Sequence, residues 1–159
     1  AVLVSDTAVP IWHEAYTTLP FVFAGSAMAS AGAAAVMVTP SAHAGLARRV
    51  AIGGALAEVA AATAMESRLG DLAEPYHDSH SSPGRFAKLA KAFGLGGAAV
   101  LAVAGRRRPF AVLGGASILA ASFCQRWSVY RAGTASAEDP TYTVAPQRNR
   151  IEQGDGPAA

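Results

Sequence analysis

Between Leu19 and Pro40 the chain carries no charged side chain, and that run restricts its possible folds more than any other stretch. At about 1.5 Å per residue, roughly 20 helical residues cover the 30 Å or so of a bilayer's hydrocarbon core. The run therefore predicts one complete span over about residues 19–39. Composition points the same way: 52% of residues are hydrophobic and 15% charged, against a usual charged share of about 25%. A net charge of +2, with basic residues in short clusters between apolar runs, excludes nucleic acid as a partner.

Three more spans follow, over about residues 48–67, 88–105 and 110–127. The expected fold is an all-α integral membrane four-helix bundle of two helical hairpins over residues 1–131, with an irregular polar tail over 132–159. Residues 68–86 are polar and predict a loop. Its His77, Asp78 and His80 are assigned to solvent and not to a metal. Residues 5–20 combine Pro10, Trp12, Tyr16 and Pro20 into an interfacial connection, because aromatic rings with one polar edge favour the headgroup level. Trp127 and Tyr130 fit an interface at the end of the fourth span. The opening residues 1–6 suggest the end of an apolar helix that starts earlier. The single Cys124 is a small buried apolar residue, since one cysteine builds neither an intrachain disulfide nor a cysteine zinc site.

Small residues recur four apart, as Gly25, Ala29 and Ala33, as Ser26 and Ser30, and as Gly53 and Ala57. Such spacing lets helix backbones approach closely in lipid. The basic groups Arg48-Arg49 and Arg106-Arg107-Arg108 lie in the short connections and favour a cytoplasmic placement for that side.

Chemistry concentrates at a few positions. Glu58 falls near the middle of the second span, where an ionisable side chain marks a functional site by default. It serves either in proton movement or in holding two spans together. Glu66 and Arg126 fall at similar depth near span ends, and either pair with each other or each snorkel to water. His13 carries an imidazole able to exchange protons near neutral pH. With Asp6, Trp12, Glu66 and Arg126 it forms an expected polar rim on the side of the long loop. All four histidines fall in connections, which argues against haem.

The segments Asp6-Thr7-Ala8-Val9-Pro10-Ile11-Trp12-His13-Glu14, Leu19-Pro20-Phe21-Val22-Phe23, Ala64-Met65-Glu66-Ser67-Arg68-Leu69-Gly70, Ala132-Gly133, Ser136-Ala137-Glu138-Asp139-Pro140-Thr141-Tyr142-Thr143-Val144 and Gln147-Arg148 occur in an order that resembles the C-terminal half of the NrfD/polysulfide reductase membrane subunit family. The resemblance implies a multi-pass subunit of the bacterial inner membrane that exchanges electrons with quinone or menaquinone and holds no prosthetic group of its own. It implies an iron–sulfur partner subunit, a molybdopterin-type catalytic subunit, surrounding lipid and the N-terminal half of the fold as partners. Trp12 and His13 are the candidates for contact with quinone. A competing expectation is a structural anchor or small transporter half that packs through its small-residue stripes. A third is a soluble Ala-rich bundle, in which Glu58 would face water.

Overall fold

The computed structural model describes residues 9–73 and 81–138. Among them there is no strand. A short helix α1 (Pro10–Glu14) leads into α2 (Leu19–Val38), α3 (Gly45–Leu69), a 3-10 turn (Gly70–Ala73), α4 (Ser82–Ala104) and α5 (Arg108–Glu138). Proline stands in the first turn of α1, α2 and α4, where its missing N–H costs nothing and its fixed φ suits the helix. Gly70, at φ 53°, ends α3 in the backbone region that a residue with a Cβ avoids.

Each long helix packs chiefly on its sequence neighbour, α2 on α3 and α4 on α5, and α5 closes back on α2 while α4 touches α3. The order around the bundle is thus α2–α3–α4–α5, with α3 and α5 in only sparse contact. α2, α3 and α4 are each long and apolar enough to cross a membrane. Large apolar side chains also cover the outside: Phe21, Val38, Leu56, Val103, Leu113 and Phe123 are all exposed. Helices apolar on the outer face as well as the inner one fit lipid better than water.

Three boundaries differ from expectation. α5 is not among the helices apolar enough to span, because Gln125 and Arg126 close its apolar stretch. It also continues to Glu138, through residues assigned to the tail, and buries Ala132, Gly133 and Ser136. α4 starts at Ser82, inside the expected loop, where the Ser81 hydroxyl accepts from the Gly84 N–H at 3.2 Å. That bond satisfies one of the donors a helix start leaves open. Residues 139–159 and the His77–Asp78–His80 trio lie outside the described residues, as does Asp6.

The α2–α3 crossing is built on backbone contact. A Cβ on Gly25 would sit 2.7 Å from the Glu58 nitrogen, Gly32 lies against Ala51, and Gly54 lies against Ala29. The expected Gly25–Ala29–Ala33 stripe does face a neighbour. On α3 the contact face uses Ala51, Gly54 and Glu58; Gly53 has only the tip of Met28 nearby, and Ala57 takes part through its backbone beside Gly25 while its side chain is exposed.

Two arginines in the first turns of α3 and α5 act as caps on other helices. The Arg108 guanidinium donates to the carbonyls of Val36, Met37 and Thr39 at the end of α2. Arg48 donates to the Gly105 carbonyl after α4 at 3.2 Å. Both place positive charge on the negative end of a helix dipole and fill carbonyls the helix cannot.

Candidate functional site

Glu58 is buried, at 5% exposure, in the interior formed by α2, α3 and α5. The close approach at Gly25 brings α2 onto its backbone, and α5 supplies Ser122, whose hydroxyl lies 3.4 Å from Glu58 Oε2 and 3.5 Å from the Ser26 carbonyl. One hydroxyl proton serves only one of these acceptors at a time. Glu58 Oε1 and the Ser26 hydroxyl are both buried with no hydrogen-bond partner by geometry, although Ser26 is close enough to interact with the carboxyl. Most buried polar atoms are paired, so two orphans side by side call for an explanation. Arg126, one turn further along α5, donates to the Ser122 carbonyl at 3.3 Å and acts on Glu58 electrostatically.

Glu66 lies two turns beyond Glu58 on α3 and is ion-paired to Lys91 of α4 at 2.6 Å. The pairing with Arg126 is therefore corrected. α4 is the neighbour of α3 and α5 lies diagonally from it, so Lys91 reaches Glu66 while Arg126 turns back along its own helix. The Lys91–Glu66 pair is largely shielded on the carboxylate side, at 8% side-chain exposure against 32% for the lysine.

Of the expected polar rim, the described members Trp12, Glu66 and Arg126 each bond to another group instead of to one another. The Trp12 indole N–H donates to the Val129 carbonyl at 2.9 Å, and its ring lies directly over Gly133. It therefore fastens α1 to α5. His13 is exposed, with its ring 6.5 Å from that of Tyr16. An open cleft of about 310 Å³ between the start of α4 and the last turns of α5 is lined by Ser82, Tyr130, Arg131, Thr134 and Glu138 among others. None of Trp12, His13, Glu66 and Arg126 lines it. Beside it, Trp127 contacts the rings of Phe86, Phe123 and Tyr130 at centroid distances of 6.3, 6.1 and 5.7 Å, an aromatic group of the kind that favours a membrane interface. Cys124 is buried and free, as expected.

Sequence reasoning found Glu58 but missed Ser26 and Ser122 as its neighbours. Ser26 was visible only as a small residue, and which α5 serine meets Glu58 depends on how the two hairpins dock. Comparison with protein-family models, with curated proteins and with solved structures finds no match to this chain. What the fold defines is a class: among the described residues, a helical bundle with three helices long and apolar enough to cross a membrane.

Proposed function

We propose that this chain is a four-helix bundle of the bacterial inner membrane, with α5 as the fourth span, and that it serves as a membrane subunit, or part of one, in a quinone-linked oxidoreductase. In this reading it lies between an iron–sulfur subunit, itself joined to a molybdopterin-type catalytic subunit, and the quinone or menaquinone pool.

One observation carries the reading. Segments far apart in sequence that carry the resemblance to NrfD/polysulfide reductase subunits pack into one core cluster at the same end of the bundle. Ile11 with Trp12, Leu19 with Val22, Met65 with Leu69, and Ala132 meet there, and Gly133 lies under the Trp12 ring. The described parts of these motifs thus pack together, next to the start of α4 and the last turns of α5. That end of the bundle is where an iron–sulfur subunit would dock.

The anchor or transporter-half reading relied on small-residue stripes to recruit a second copy. The Gly25–Ala29–Ala33 stripe is already used between α2 and α3, which leaves only the outward-facing Gly53 and Ala57 for such a contact. Mild detergent extraction of the native membrane, followed by affinity purification of the chain, tests the proposal. Co-elution with an iron–sulfur chain and a large catalytic chain is expected. Elution as a lone homo-oligomer, or recovery in the soluble fraction, would overturn it.

A further inference from the structure

The two orphaned polar atoms beside each other in the bundle interior are unexplained by packing and by the redox reading. We propose that Glu58, Ser26 and Ser122 form a binding site for one exchangeable proton at mid-depth in the bundle. In the loaded state the Glu58 Oε1 hydroxyl donates to Ser26 Oγ, and Ser122 donates to the Ser26 carbonyl. In the emptied state both serine hydroxyls rotate to donate to the carboxylate, which freely turning hydroxyls allow. The two unpartnered atoms and the two long Ser122 contacts fit a cluster shared between two such arrangements.

The charged and titratable surroundings suit such an exchange. α2 brings no charge to the site, and α4 brings Lys91, already held by Glu66 of α3. α5 brings the neutral Gln125 and Cys124, both buried, and Arg126, whose guanidinium on the Ser122 carbonyl faces the carboxylate when the proton has left. A metal cation fits poorly. Calcium and magnesium take about six oxygens or more, whereas the oxygens here are two from the carboxyl, two hydroxyls and the Ser26 carbonyl. The helices pack backbone to backbone beside them. The site needs only a bilayer around the helices, so it stands whether or not the chain has redox partners.

A membrane-permeant, water-insoluble carbodiimide tests it on the full chain reconstituted into phospholipid vesicles. A carboxylic acid adds its O–H across one C=N bond of the reagent, the proton going to nitrogen and the oxygen to carbon. Acyl transfer to nitrogen then gives a stable N-acylurea with no oxidant or reductant. Peptide mass mapping should find one adduct, on Glu58 and not on Glu66. It should be absent in Glu58→Gln, and absent when a water-soluble cationic carbodiimide is used. Mapping on the unmodified chain stands by itself if the variant fails to fold. No adduct at Glu58 in vesicle-inserted protein would overturn the proposal. So would protection of Glu58 by sodium, but not by choline, at fixed pH and ionic strength, because a metal cation would then occupy the site. An adduct on Glu58 in a chain that purifies alone would uphold the site while removing the redox reading.

Discussion

The two hairpins use serine in opposite ways. In the α4–α5 hairpin each interhelical hydroxyl has a firm partner: Ser128 donates to the Pro83 carbonyl and Ser117 to the Phe93 carbonyl, each at 2.8 Å. These bonds join two helices whose backbones also meet at Gly97 and Gly114. In the α2–α3 hairpin the backbones approach as closely, yet the polar group at the crossing is a carboxyl with an unpartnered oxygen beside an unpartnered hydroxyl. Satisfied hydroxyls in lipid are structural glue, whereas a half-satisfied carboxyl costs stability and persists where it is used. The same kind of crossing holds one hairpin together and places a site in the other.

The largest expected effect breaks the α2–α3 crossing itself. In Gly54→Val the new side chain meets the Ala29 backbone, and because backbone cannot swing aside the helices must part. A loss of about 3 kcal/mol, at the upper end for overpacking, is expected, read as a drop in the detergent-solubilised melting temperature. Gly96→Ala, whose Cβ meets nothing within 4 Å, should not lower that temperature and should raise stability by up to about 1 kcal/mol through its better helix propensity.

A smaller effect is expected at the rim. Lys91→Met removes the cation from a shielded carboxylate and should cost about 1 kcal/mol, well under the figure for a fully buried pair, because the lysine end is partly exposed. Denaturation in detergent, with Lys91→Arg as a partly rescuing control, measures it.

The smallest effects sharpen the contrast between the hairpins. Ser128→Ala should cost about 0.6 kcal/mol through its lost bond to the Pro83 carbonyl. Ser26→Ala removes the oxygen that accepts the Glu58 proton and leaves a buried donor unsatisfied, so it should cost at least as much and should shift the carboxylic-acid C=O band of Glu58, which Ser128→Ala leaves in place. A Glu58 band unmoved by Ser26→Ala would mean that this hydroxyl takes no part in the site.

Much of the fold was legible because bilayer-crossing length leaves a plain mark on sequence. The uncharged run from Leu19 located α2, and the Gly25–Ala29–Ala33 stripe located its contact face. Spacing alone could not distinguish Gly53 from Gly54, since adjacent residues differ by about 100° around a helix of 3.6 residues per turn and only docking selects between them. The start of α4 was concealed because Ser81-Ser82-Pro83-Gly84 has loop composition, although a serine cap followed by proline is also a helix start. The last turns of α5 bury Ala132, Gly133 and Ser136, residues too small to show an apolar period. Gly133 is covered by the Trp12 ring, more than a hundred positions earlier.

The site was half legible for a related reason. Glu58 stood out as a lone acid in an apolar helix, but its neighbours come from α2 and α5, and no local pattern records which serines those will be. Likewise, depth along the chain placed Glu66 level with Arg126. The order of helices around the bundle gave it Lys91 instead.

The most direct test of the contrast between the hairpins is infrared spectroscopy of the chain in vesicles, in water and in deuterium oxide. The account predicts a carboxylic-acid C=O band that shifts on deuteration, vanishes in Glu58→Gln and persists in Ser128→Ala. A spectrum without that band, or one in which Glu58→Gln leaves it unchanged, would contradict a proton held at Glu58.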